Sequence, residues 1–255
     1  MKRSIPESIF GLLLLVPFAL AIVWLRTARG VPFVSFIYGS GSWGFGCLLK
    51  MLLYHSWIRR LRHDGQRILG VSVLNGLVSG VTELGVALVF FLFLKDLTFY
   101  QVVAFGIGIG AIEAWVVATT SNPLKGTALE SASLQLESTV ESLRGVRRFI
   151  HGYGLPYAER LIATAIHVGT RGLVYVSVRS GSPLPFALGL LVFIVADGVV
   201  GYRLLHQGKL ADTTVLGRAY GVLLGLAILA LAGFLCSWGN AGPAAAAMST
   251  GGNVP

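Results

Sequence analysis

Apolar runs of roughly 20 residues recur along this chain from end to end, and the Lys and Arg residues collect in the short segments between them. A run of that length crosses a hydrocarbon core as one helix, at about 1.5 Å of rise per residue. The pattern predicts spans over about 9–25, 31–53, 69–94, 100–120, 156–178, 184–203 and 218–237. The expected fold class is therefore all-α: a polytopic helical membrane protein with about seven transmembrane helices. Residues 1–238 form a single transmembrane domain in this reading. Its one sizeable insertion, 121–153, places Leu129, Leu134, Leu136, Val140, Leu143 and Val146 at helical spacing among Glu130, Glu137, Glu141 and Arg144. That spacing predicts an amphipathic helix on the membrane surface or over the bundle. Gly152 to Pro156 breaks it and restarts the chain for the fifth span. Residues 239–255, rich in Ala, Gly and Ser, are expected to be a disordered tail.

Composition narrows the class. Only 12% of residues are charged and 33 are glycine, which excludes an ordinary soluble domain. The net charge of +9 invites a nucleic-acid reading, but the charges follow the loops. With the N-terminus cytoplasmic, Lys2, Arg3, Lys50, Arg59, Arg60, Arg62, Arg67, Lys125, Arg144, Arg147, Arg148, Arg203, Lys209 and Arg218 lie inside. Only Arg26, Arg29, Lys95 and Arg179 lie outside. The positive-inside rule then gives N-terminus in and C-terminus out; the expected location is the plasma membrane of the cell, with lipids as partners and no nucleic acid. Met1 to Arg26 reads as a retained helix, because Trp24, Leu25 and Arg26 stand where a cleavage site would need small residues. Gly39, Gly41, Gly44 and Gly46, and Gly106, Gly108 and Gly110, read as close helix contacts; the second run lacks the preceding strand of a dinucleotide fingerprint.

Against this background the informative residues are ionisable ones inside apolar runs. Glu83, Glu113, His167 and Asp197 each fall in a different predicted span, where a charge costs roughly 2.5–3.5 kcal/mol on insertion scales. Counting helical rise from the cytoplasmic ends puts Asp197 and Glu113 about 9–11 Å deep, His167 about 16 Å and Glu83 about 21 Å, with Glu159 shallower. These overlapping layers allow one shared cavity. Arg171, one turn beyond His167, lies near the depth of Glu83 and suggests a Glu83–Arg171 ion pair, while Arg160 is close enough to the boundary to snorkel. A carboxylate beside a histidine in a dry cavity suits hydrolysis, accepting a proton from water and returning it to a leaving amine. The same groups serve proton-coupled transport equally well.

The order of the motifs resembles the YhfC-like group of intramembrane proteases, relatives of the PrsW and CAAX-protease, bacteriocin-processing superfamily. The likeness covers about residues 35–205. It rests on Tyr38-Gly-Ser-Gly-Ser-Trp-Gly-Phe, on Ser79-Gly-Val-Thr-Glu-Leu-Gly-Val-Ala at the paired-glutamate motif, and on Gly106-Ile-Gly-Ile-Gly-Ala-Ile-Glu-Ala. Glu159-Arg160 with His167, and then Asp197, continue it. The resemblance implies hydrolysis of peptide bonds within the membrane, on a peptide or membrane-protein substrate, by a glutamate-activated water. Glu113 would be the general base with Glu83 as the alternative. His167 would orient water or stabilise the oxyanion, Asp197 would fix the histidine or water, and Glu159 would complete a polar entrance. No cofactor is implied; a divalent metal such as zinc is the open alternative, with Glu113, His167 and Asp197 as a mixed ligand set and no HExxH present. The chain departs from the pattern at Leu84, in place of a second glutamate, and at Ala87, in place of a basic residue. Those departures keep a non-catalytic scaffold beside the transporter as alternatives to the enzyme.

Overall fold

The computed structural model describes residues 7–53, 68–119, 154–205 and 213–241. Every regular element among them is helical. In chain order these are α1 (Glu7–Arg29), α2 (Val34–Leu53), α3 (Ile68–Ser79), a π turn (Gly80–Leu84), α4 (Gly85–Phe93), α5 (Phe99–Thr119), α6 (Leu155–Ser180), α7 (Pro183–Leu205) and α8 (Thr213–Ala241). Among the described residues five stretches are long and apolar enough to cross a membrane: Leu69–Phe93, which joins α3, the π turn and α4, then Phe99–Thr119, Leu155–Ser180, Pro183–Tyr202 and Gly217–Asn240. This is a helical membrane protein. Helix α8 extends to Ala241 and so takes in the first residues of the expected tail; the rest of that tail, the segment expected to be an amphipathic helix and Arg59, Arg60, Arg62 and Arg67 lie outside the described residues.

The bundle is organised around α6. From Ile166 to Ser177 every residue of α6 is buried, so that helix has neighbours on all sides. Helices α5, α7 and α8 pack along it, α3 packs on α7, and α1 and α2 pack on the far side of α5. Outward positions such as Leu20, Val23, Phe45, Phe93, Leu184 and Ile228 are exposed and apolar, as a lipid-facing surface requires. Gly30 and Gly181 adopt left-handed backbone, at φ 63° and 68°, and end α1 and α6 where a side chain would be strained.

Glycine sets how closely α5 approaches its neighbours. A Cβ on Gly106 would stand 2.5 Å from Val168 Cα, and one on Gly110 would collide with Thr164, so this face of α5 lies directly on α6. A Cβ on Gly108 would run into the Phe36 backbone of α2, and Ser40 Oγ of α2 donates to the Gly108 carbonyl at 2.9 Å. Small residues at such crossings let backbones pack where lipid offers no hydrophobic drive. On α2 the reading divides: Gly39 and Gly46 are pressed against α5 and the π turn, whereas Gly41 and Gly44 have no neighbour within 4 Å.

Candidate functional site

The face of α5 that carries Gly106 and Gly110 continues, three residues on, to Glu113; on α6 the facing stripe is Arg160, Thr164, His167 and Arg171. Spacings of three and four put each set on one side of its helix. Close packing at the glycines therefore brings Glu113 against α6. Arg160 Nη1 lies 2.8 Å from Glu113 Oε1, and His167 Nε2 lies 3.2 Å from Glu113 Oε2. Arg160 is shared: its Nη2 reaches Glu159 Oε1 at 3.0 Å, and Tyr220 of α8 donates to Glu159 Oε2 at 2.8 Å. Arg160 does not snorkel to the boundary, because two carboxylates turn it inward.

A second ion pair lies deeper. Arg171 Nη2 donates to Glu83 Oε2 at 2.9 Å, both side chains being buried. The pairing expected from depth is present. Glu83 sits on the π turn, whose extra residue rotates the helix locally; Thr82 Oγ1 there donates back to the Val78 carbonyl at 2.8 Å. Gly46 of α2 makes room for Glu83, since a Cβ there would be 3.0 Å from the Glu83 Cα. Arg171 also donates from Nη1 to Thr170 Oγ1 at 3.1 Å and lies over the Phe193 ring, 4.5 Å from its centroid. Removing one partner of such a pair leaves an uncompensated charge, at a cost of about 3–5 kcal/mol.

The third pair joins α2 to α7. Lys50 Nζ lies 3.1 Å from Asp197 Oδ2, and both side chains are a little over a quarter exposed. Asp197 thus has a lysine as its ion-pair partner, where the sequence suggested that it would fix His167 or water. The sequence places Lys50 among the inside charges that set topology; in the structure it turns into the bundle toward Asp197. Trp43, Gly46 and Lys50 repeat at helical spacing after Gly39, and that stripe was the available sign that Lys50 shares a face with buried residues.

These groups surround one cavity of about 170 Å³. Glu83, Glu113, Glu159, His167 and Asp197, all five of the sequence-derived candidates, line it. Lys50, Arg160 and Cys47 join them, with Trp43, Ile166 and Phe193 among the apolar walls. Sequence reasoning assigned no role in the site to Lys50, Arg160 or Tyr220. Four carboxylates (Glu83, Glu113, Glu159, Asp197) are matched by three cations (Lys50, Arg160, Arg171), with Arg160 serving two acids. Among the described residues no three His, Cys, Asp or Glu side chains gather as a ligand set. Glu113 and His167 face each other, and Asp197 is paired with Lys50.

Chemically, Glu113 is the most versatile group in the cavity. Its side chain is a quarter exposed to the cavity while Arg160 and His167 fix both oxygens. A carboxylate oxygen has room for a further hydrogen bond from water after accepting one donor. Arg160 and Lys50 can stabilise negative charge that develops on a bound carbonyl oxygen. No family model, curated protein or solved structure matches this chain.

Proposed function

We propose that this protein is an intramembrane hydrolase of the YhfC-like and PrsW-like kind, cleaving peptide bonds of a membrane-embedded or membrane-adjacent substrate. It would sit in the plasma membrane with seven spans, α1 and α2 included, the N-terminus cytoplasmic and the C-terminus outside. The observation that carries the proposal is the Glu113–His167 contact on the wall of a cavity that Glu83, Glu159 and Asp197 also line.

The chemistry runs on these side chains. A water held by Glu113 gives it a proton as the water oxygen adds to the substrate carbonyl carbon. The carbonyl oxygen takes the negative charge and is stabilised by Arg160 or Lys50. His167 Nε2–H holds the other oxygen of Glu113 and so fixes the carboxylate plane. As the C–N bond breaks, Glu113 returns the proton to the leaving amine, and the new carboxyl and amino ends separate.

A second reading has its own support. Each carboxylate of the cavity already has a cation partner, and that arrangement suits a scaffold that binds a peptide without cutting it. Cleavage of a pooled membrane-peptide library by the purified protein in nanodiscs separates the two. The hydrolase predicts products that vanish in Glu113→Gln and persist with a chelator. Loss on chelation would replace the mechanism with a metal-assisted one. Peptide binding without products in the wild type would favour the scaffold.

A further inference from the structure

Glu159 and Arg160 are consecutive residues of α6, and consecutive side chains leave a helix about 100° apart, so they do not ordinarily meet. Here they do: Arg160 Nη2 lies 3.0 Å from Glu159 Oε1. The same guanidinium reaches Glu113 of α5 through Nη1 at 2.8 Å, so carboxylates on two different helices hold its two arms. Glu159 is itself held from α8. The Tyr220 hydroxyl donates to Glu159 Oε2 at 2.8 Å, and the Leu155 carbonyl, one turn earlier on α6, is its longer alternative at 3.4 Å. A hydroxyl has one proton to give, and the shorter, charge-assisted bond takes it. One oxygen of Glu159 is thus engaged by Tyr220 and the other by Arg160. Without that hold, an arginine this close to the start of α6 has a stem long enough to reach the interface.

We infer that Tyr220 and Glu159 are positioning residues: Tyr220 fixes Glu159, Glu159 fixes Arg160, and Arg160 holds the Glu113 carboxylate where His167 meets its other oxygen. The line runs from α8 through α6 to α5 and back to α6, by contacts of 2.8, 3.0, 2.8 and 3.2 Å. In this role neither Tyr220 nor Glu159 touches the reacting atoms; their effect reaches the substrate through the guanidinium. With Arg160 fixed, Glu113 keeps one orientation while it takes a proton from water and returns it, which a carboxylate free to rotate would not. The line of contacts stands on geometry, and its consequence for catalysis rests on the hydrolase proposal.

The test pairs kinetics with nitrogen-15 NMR of Arg160, both on the intact protein in lipid. Tyr220→Phe removes only the hydroxyl; kcat for membrane-peptide cleavage is expected to fall about tenfold, the worth of one hydrogen bond, with KM within about twofold. Glu159→Ala is expected to lose at least as much. Adding Tyr220→Phe to it should change kcat by less than about twofold, because the two act through one line. A guanidinium held at both arms cannot turn over, so the wild type should give separate Nη1 and Nη2 resonances, assigned by their loss in Arg160→Lys. They draw together in Tyr220→Phe and merge in Glu159→Ala. Merged resonances in the wild type, unchanged spectra in Tyr220→Phe, or losses that multiply in the double variant would each overturn the inference. So would a Tyr220→Phe protein that unfolds at a lower temperature yet keeps the wild-type kcat, the mark of a role in stability alone. Should Glu159→Ala not fold, the Tyr220→Phe kinetics and spectra decide. The two claims fail separately: a cleaving wild type matched by Tyr220→Phe removes only the positioning role, and held, Tyr220-dependent resonances without cleavage by the wild type remove only the hydrolase.

Discussion

Helices α6 and α8 lie side by side in the bundle, yet they are built on opposite plans. Of the five candidate spans among the described residues, α6 is the least apolar and the most buried, whereas α8 is the most apolar and the least buried, 61% against 22% over the apolar window. In a soluble protein the apolar helix would be the inner one. Lipid removes that preference, because a leucine gains little by leaving acyl chains for protein, while a histidine or arginine gains partners and avoids hydrocarbon. The polar helix therefore takes the centre. It brings Arg160, His167 and Arg171 to the acids of its neighbours, and α8 supplies chiefly packing surface and the Tyr220 hydroxyl.

The largest expected break in this contrast is Arg171→Met. It leaves Glu83 buried without its cation and should cost about 3–5 kcal/mol, read as a lower unfolding midpoint in mild detergent. A loss below about 1 kcal/mol would mean that Glu83 is neutral or water-reached. The pair can be examined further by exchanging the charges, Glu83→Arg with Arg171→Glu; recovery of stability lost in each single variant would support direct pairing.

Glycines sharpen the contrast next. A Cβ on Gly169 of α6 would stand 2.6 Å from the Ala230 carbonyl carbon of α8, so Gly169→Leu should cost about 1–3 kcal/mol through overpacking. Gly221 of α8 has nothing within 4 Å. Gly221→Ala should leave stability unchanged or raise it by up to about 1 kcal/mol, through helix propensity alone. Equal effects at the two positions, measured by the same unfolding assay, would undo the assignment of α6 as the close-packed helix.

Smaller effects follow where partners are exposed. Lys50→Met breaks an ion pair that is partly open to solvent, and about 1 kcal/mol or less is expected. Ile228 of α8 is 60% exposed, and Ile228→Ala should change stability by no more than about 0.5 kcal/mol. A large loss there would show that this face of α8 is covered by protein.

The spans and the site differ in how far the sequence reveals them. Apolar run length marks the spans, and an ionisable residue inside a run marks itself. Depth along the helix was enough to pair Glu83 with Arg171, since both are too deep to reach water. Near helix ends the same reasoning fails. Lys50 and Arg160 are long enough either to reach the interface or to turn inward, and the choice depends on whether a carboxylate waits on a neighbouring helix. That is a property of the packing, absent from the periodicity of either helix. The Asp197 partner was missed for the same reason. The π turn that orients Glu83 has no residue signature, because any helical sequence can accommodate one extra residue where its neighbours favour it.

Under the proposed function, the polar stripe that α6 carries to the middle of the bundle lets His167 and Glu113 direct water at a peptide bond. The most direct measurement is hydrolysis of membrane peptides in oxygen-18 water, with products weighed by mass spectrometry for the wild type and for Glu113→Gln. One heavy oxygen is expected in each new carboxyl end, with a loss of rate of about 10²–10⁴ in the variant. Cleavage at the wild-type rate in Glu113→Gln, or products without the heavy oxygen, would contradict the proposed function.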